Sequence, residues 1–87
     1  MSKTTEAEDF AAEVPSHERL ATIGRLSVAE SAARIQVADM ELVYNRTDEP
    51  IVRRCLAPPM HSARRARARI LENLKALTTL TRIEGAL

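Results

Sequence analysis

Apolar residues recur at helical spacing through residues 16–46, and they fall on two sides of the predicted helix. The first stripe repeats every seven residues and alternates large with small side chains: Ala21, Gly24, Val28, Ser31, Ile35, Ala38 and Leu42. The second stripe lies on roughly the opposite side and consists of Leu26, Ala33, Val37, Met40 and Tyr44. A helix that is apolar on two sides is covered on both. We therefore expect the first stripe to form a helix–helix seam, and the second to meet the N-terminal helix, a second copy or a different protein.

A break near Gly24 competes with this single long helix. Gly24 is followed by Ser27 and Glu30, which have the spacing of a capping box for a new helix. The first stripe keeps its phase through this point. This continuity favours one uninterrupted helix that begins near Ser16 and ends near Arg46.

A second long helical pattern covers residues 60–84, with Gly85 as a natural stop. Its predicted inward side consists of Ala63, Arg67, Ile70, Leu74, Leu77, Thr81 and Glu84, flanked by Leu71 and Leu80. The connection, residues 47–59, contains a short helical turn in which Asp48 caps and Pro50 occupies the first position. Pro58 and Pro59 are expected to end that turn, because proline breaks a helix interior.

The N-terminal residues predict a separate acidic arm over 1–15. Thr5 and Glu8 form a capping box at the start of a short helix over residues 5–14, which Pro15 stops. The remaining residues, 16–87, form the helical hairpin domain. The predicted fold is therefore all-α, a short N-terminal helix plus a long antiparallel helical hairpin that assembles as a homodimeric four-helix-type bundle. The expected dimer interface consists of Gly24, Leu26, Val28, Ser31, Ile35, Val37, Ala38, Met40, Leu42 and Tyr44.

The composition explains why a second copy is expected. A chain of 87 residues buries a modest share of its surface, and Cys55 is its only cysteine, so no disulfide adds stability. A single thiol suits a reducing cytoplasm, and the polar start "MSKTTEAEDF" does not resemble a signal peptide. No apolar run approaches the roughly 20 residues that cross a bilayer. We therefore expect a cytoplasmic protein that does not use a membrane as its partner.

The stretch "HSARRARARILENL" carries four arginines within residues 64–69, at the beginning of the predicted last helix. That end of a helix already bears partial positive charge, so the arginines require negative groups nearby. Three sources remain open: the carboxylates of the acidic arm or of a second copy, an acidic patch on another protein, or nucleic acid. The residues predicted to bind the partner are Arg53, Arg54, Arg64, Arg65 and Arg69.

Arg67 differs from these arginines because it falls on the inward side of its helix. Its aliphatic stem can pack while the guanidinium reaches water at the end of the bundle. Alternatively, it forms a buried ion pair with Glu30, Glu41 or a symmetry copy and so fixes the register of the helices. The sequence leaves both interpretations open.

The sequence predicts binding rather than catalysis, with no cofactor and no metal. Cys55 and His61 lack a third group to orient them, and one cysteine with two histidines cannot close a zinc site. The segment "SARRARARILENLKAL" resembles the second helix of the helical chorismate mutases, but it lacks their arginine–lysine–glutamate set along the first helix. We expect a small non-enzymatic adaptor or inhibitory regulator, chaperone-like, that docks an acidic protein. A nucleic-acid-binding regulator is the second hypothesis, and a structural subunit of a larger assembly is the third.

Overall fold

A computed structural model of the chain describes residues 4–85, and the regular structure in that range is helical. Helix α1 spans Glu6–Glu13, a 3₁₀ turn follows at Ser16–Glu18, and helices α2 and α3 span Arg19–Arg46 and Pro50–Gly85. The predicted all-α class and the long hairpin are confirmed. The extreme ends of the predicted arm and hairpin domain, residues 1–3 and 86–87, lie outside the described residues.

Helix α1 begins at the predicted cap. The Thr5 hydroxyl oxygen accepts a hydrogen bond from the Glu8 backbone N–H at 3.1 Å. The second half of the capping box differs, since the Glu8 carboxylate accepts from the Thr5 hydroxyl at 3.2 Å and not from a backbone donor. α1 packs on the C-terminal part of α3 through the buried Ala7 and Ala11. The buried side chains of α1 are small, so each contributes little apolar area to this contact.

Helix α2 runs without interruption for 28 residues, and Gly24 lies inside it. The alternative helix start at Ser27 is therefore not used. The beginning of α2 is three residues later than predicted, because Ser16 lies in the 3₁₀ turn and Glu18 takes the cap position without a side-chain hydrogen bond. Its end at Arg46 is as predicted.

The stripe of α2 that packs on α3 is the second one, whereas the sequence predicted that the first stripe would form this helix–helix seam. The second stripe faces α3: Val37 is buried, and Leu26, Ala33, Met40 and Tyr44 are half-buried. The first stripe is largely exposed, with Val28 at 71%, Ile35 at 60% and Leu42 at 49% of full exposure. The single chain therefore covers, fully or in part, four residues that were predicted for a dimer interface: Leu26, Val37, Met40 and Tyr44.

Carboxylates at the border of the second stripe match the arginines of α3. Glu30 and Glu41 border the second stripe, and in the hairpin they lie against Arg67 and Arg64 of α3. The border of the first stripe carries both signs, with Arg25 and Asp39 among its charged residues, and it therefore matches the arginine-rich half of α3 less well.

Helix α3 corrects the predicted connection between the long helices. The link is only residues 47–49, and Pro58 and Pro59 lie inside a helix of 36 residues. The prolines remove the N–H groups that would bond the carbonyls of residues 54 and 55, and both of those residues are exposed. Water can therefore bond the two carbonyls. Met60, which is 3% exposed, anchors the helix directly after the prolines, so packing outweighs the local penalty.

The beginning of α3 also differs in its cap. Pro50 occupies the first helical position as predicted. The Thr47 hydroxyl, rather than Asp48, accepts the Glu49 backbone N–H at 3.3 Å. A three-residue link of this kind returns the chain directly and makes the two long helices antiparallel neighbours.

The core of this fold is thin. The buried apolar residues among 4–85 are Ala7, Ala11, Val37, Met60 and Leu77. The radius of gyration is 16.9 Å, whereas about 12 Å is typical of a compact chain of this length. The extents of 56 × 30 × 16 Å describe a flat slab with helices exposed on both edges.

Candidate binding surfaces

Two of the five candidate arginines are used inside the hairpin. Arg64 Nε lies 3.0 Å from Glu41 Oε1 on α2. Arg53 Nε donates to the carbonyl of Thr47 at 3.0 Å, and its guanidinium lies 5.4 Å from the centre of the Tyr44 ring. Both side chains therefore hold α3 to the end of α2, which leaves them less suited to grip a partner.

The other three candidates, Arg54, Arg65 and Arg69, are exposed and are called the outer arginines here. At 100° per residue, Arg65 lies about 180° around α3 from Leu74, which faces α2, and Arg54 and Arg69 lie within about 40° of Arg65. Arg65 Nη2 donates to the Ser62 hydroxyl at 3.4 Å. Within residues 4–85, no ion pair joins an outer arginine to a carboxylate. The structure thus separates the candidates into an inner pair and an outer set of three.

The acidic arm does not neutralise these arginines. α1 lies beside residues 72–83 of α3, beyond the arginine-rich segment. Its carboxylates are exposed, and Asp9 and Glu8 accept hydrogen bonds from Thr4 and Thr5 next to them. The intramolecular carboxylates that do pair with the segment come from α2, at Glu30 and Glu41.

Arg67 forms the ion pair that one of its two interpretations predicts. Its Nε lies 3.3 Å from Glu30 Oε1, with the Glu30 side chain 13% exposed and the Arg67 side chain 35% exposed. The pair lies near the middle of the hairpin, where it borders the contact between Val37 and α3. A half-buried pair at this point ties one position of α2 to one position of α3.

Arg19 is a buried charged residue that the sequence interpretation missed. It is 7% exposed, its Nε donates to the Val14 carbonyl at 3.3 Å, and its Nη1 bonds Glu84 Oε2. One side chain thereby joins the end of α1, the start of α2 and the end of α3. A signal was present, because Arg19 is on the same side of α2 as Ile23, Leu26 and Glu30.

The remaining chemical groups form no cluster. Cys55 is a free, exposed cysteine, and His61 is also exposed. Among the described residues, histidine, cysteine and carboxylate side chains do not gather in a group of three that would hold a metal ion. None of the helices in the described range is long and apolar enough to cross a membrane.

The first stripe is an apolar feature left exposed on α2. Its large members are Val28, Ile35 and Leu42, and the small residues Gly24 and Ala38 of the same stripe are also exposed. A methyl group added at Gly24 would meet no atom within 4 Å. Space for a neighbour therefore exists along this side of α2 in the single chain.

Comparison with known proteins adds no relative to this description. No protein-family model, no curated protein and no solved structure matches the chain.

Proposed function

We propose that this protein is a small adaptor or inhibitory regulator that acts by binding another protein. The outer arginines grip carboxylates on an acidic surface of that partner. The observation that carries this proposal is the position of Arg54, Arg65 and Arg69 on the side of α3 turned away from α2, where no carboxylate of residues 4–85 pairs with them. Three guanidinium groups held on one rigid helix are a ready site for negative groups.

The spacing of the outer arginines defines the partner that would fit. Arg54 and Arg65 are about 17 Å apart along the helix axis, and Arg65 and Arg69 about 6 Å. A helix that carries glutamates at the same spacings of 11 and 4 residues offers carboxylates in the same pattern. Each guanidinium fork can then bond a carboxylate through two parallel hydrogen bonds.

The protein acts as a homodimer in this proposal. The chain exposes 6663 Å², whereas about 5,100 Å² is typical of a compact monomer of this mass. A standard interface covers about 800 Å² on each partner, so association of two copies would remove a large part of the excess. The exposed first stripe supplies apolar side chains for that contact.

Nucleic acid is the second candidate ligand for the same arginines, and the surroundings favour protein. Nucleic-acid sites commonly place aromatic rings beside the basic residues, where bases can stack. Here Tyr44 lies under Arg53 on the inner side, and Phe10 is half-buried on α1. A net charge of +1 also provides little general attraction to a phosphate backbone.

The decisive experiment exploits the sequence neighbours of the outer arginines. The variant Arg54→Gln/Arg65→Gln removes two outer charges, and Arg53→Gln/Arg64→Gln removes two charges from adjacent positions on another side of α3. We would measure by fluorescence anisotropy the binding of a helical peptide with glutamates spaced 11 and 4 residues apart. A scrambled peptide of equal charge and a single-stranded oligonucleotide serve as further ligands.

We expect the outer variant to weaken binding of the spaced peptide about tenfold or more, and the inner variant to weaken it less than about threefold. Equal losses in the two variants would show that only net charge matters and would overturn the proposed site. Tighter binding of the oligonucleotide, with a steep fall as salt rises, would establish the nucleic-acid alternative instead. A chain that is poorly folded alone would favour a structural subunit.

A further inference from the structure

The first stripe contains an ordered alternation that a simple apolar surface would not need. Val28, Ile35 and Leu42 recur every seven residues, and a small residue, Gly24, Ser31 or Ala38, stands four positions before each of them. The large members are 49–71% exposed in the single chain, so their own fold does not explain the alternation. A second helix that approaches this stripe meets a row of projections and a row of gaps.

We propose that the occupant of the first stripe is α2 of a second copy, packed antiparallel about a two-fold axis near residue 33. This inference rests on the homodimer in the proposed function and specifies its geometry. In this register Val28 packs over the partner's Ala38, Ile35 over the partner's Ser31, and Leu42 over the partner's Gly24. Symmetry repeats each contact, so every large member of the stripe enters a gap.

The direction of the two helices follows from the volumes in each layer of the contact. In the antiparallel register each layer contains one large and one small side chain, so two helices can approach closely along their whole length. A parallel register would place Ile35 on Ile35 and Gly24 on Gly24 in turn. The large layers would then hold the helices apart and leave voids at the small layers, which is costly in a packed interface.

Charges at the edges of the stripe give a weaker and partly opposite signal. The antiparallel register brings Arg25 close to the partner's Asp39, but it also brings the two Arg34 side chains near the axis. The parallel register would instead place Arg34 beside the partner's Asp39. Exposed ion pairs contribute little to stability compared with the packing of an apolar contact, so packing determines the direction. The opposite expectations for Arg34 make it a useful probe.

The antiparallel dimer also has a consequence for the outer arginines. They lie on the side of α3 turned away from α2, so a contact through α2 leaves both sets exposed on the outside of the assembly. The two sets run in opposite directions because of the two-fold axis. A dimer of this kind presents two equivalent sets of outer arginines, each able to bind an acidic helix. It therefore gains avidity for a partner that carries two such helices.

Disulfide cross-linking tests the register directly. In a Cys55→Ser background, Gly24→Cys and Leu42→Cys would be prepared separately and oxidised alone or as a mixture with oxidised glutathione. Both positions are exposed, and an added Cβ at Gly24 meets no atom of its own chain within 4 Å, so the chain should keep its fold. Circular dichroism of the reduced variants verifies the helix content.

We expect the mixture to give a cross-linked dimer that joins residue 24 to residue 42, and each single variant to remain largely uncross-linked. Efficient cross-linking of Gly24→Cys with itself would overturn the antiparallel direction. Sedimentation showing a dimer that forms neither disulfide would also overturn this register. A monomer at micromolar concentration would instead refute the homodimer of the proposed function, so the two failures are distinguishable.

Solution assembly supplies an independent measurement. We expect Ile35→Asp to raise the dimer dissociation constant by at least about a hundredfold, while the matched control Gln36→Asp on the adjacent side of α2 changes it less than about threefold. Arg34→Gln should tighten the antiparallel dimer about twofold. Weakening by Arg34→Gln would indicate the parallel dimer, and equal effects at residues 35 and 36 would show that the stripe is not the contact.

Discussion

The two apolar stripes of α2 lie on one helix and have different surroundings. The second stripe is covered by α3, with Val37 buried and ion pairs from Glu30 and Glu41 at its border. The first stripe contains side chains of similar apolar character, yet Ile35 is 60% exposed. The difference teaches that hydrophobicity made both sides of α2 suitable for contact, and that the side covered by α3 is the one bordered by carboxylates that pair with its arginines.

The largest effect expected from this difference is a loss of folding when a charge enters the second stripe. Val37→Asp places a carboxylate at a site that is 5% exposed, where the neighbouring Arg64 and Arg67 already pair with Glu41 and Glu30. We expect a loss of about 4 kcal/mol or more, a large part of the total stability of a small domain. Circular dichroism and urea unfolding would measure the loss.

Ile35→Asp, two positions away, is the matched control for Val37→Asp. It should keep its helix content and lose only the part of its stability that depends on protein concentration. If Val37→Asp unfolds at the same urea concentration as Ile35→Asp, the second stripe is not the covered side of α2.

A smaller difference is expected between the two ion pairs beside the second stripe. Arg67→Met leaves Glu30, with a side chain 13% exposed, without its partner, whereas Arg64→Met leaves Glu41 at 39% exposure. The charge left at Glu30 is less hydrated, so we expect a loss of about 1–3 kcal/mol at Arg67 and below about 1 kcal/mol at Arg64.

Urea unfolding of the two variants and of their double-mutant cycles with Glu30→Gln and Glu41→Gln would measure these energies. Equal losses would mean that burial does not distinguish the two pairs. A larger loss at Arg64 would reverse the roles assigned to them.

Several elements were predictable from the sequence because their causes are local. The cap at Thr5, the end of α2 at Arg46 and the inward position of Leu77 each follow from a short pattern of residues. The continuity of α2 through Gly24 was predictable from the phase of the first stripe. Such features depend on spacing and capping chemistry within a few turns of one helix.

The features that escaped prediction depend on contacts between distant residues. Pro58 and Pro59 locally favour a helix end, because proline breaks a helix interior. Met60 and the neighbouring turns nevertheless pack on α2, and the helix remains continuous. The orientation of α2 was not predicted, although the Arg67–Glu30 ion pair that accompanies it, between residues 37 positions apart, was one of the two interpretations of Arg67. Arg19 acquired its role only when α1 and α3 brought Val14 and Glu84 to it. Tertiary contacts therefore decided what local rules left open.

The smallest expected effect is a gain in stability, and it isolates the first stripe from any second copy. Gly24→Ala in an Ile35→Asp background places alanine at an exposed position inside α2, in a chain that we expect to be monomeric. Alanine restricts the unfolded backbone and favours helix, and its Cβ meets no atom within 4 Å. We expect urea unfolding to show a gain of about 0.5–1 kcal/mol, while the reverse change Ala38→Gly in the same background loses a similar amount.

A loss of stability at Gly24 would mean that its own chain covers the first stripe, because only a neighbouring atom can oppose the helical preference of alanine. In the wild-type background, a large residue at this position, as in Gly24→Leu, is expected to weaken association of two copies. This effect has the opposite sign to the gain in stability expected for the isolated chain. Opposite effects of substitutions at Gly24 on monomer stability and on dimer association would separate the role of this residue in the fold of α2 from its role in the contact with a second copy.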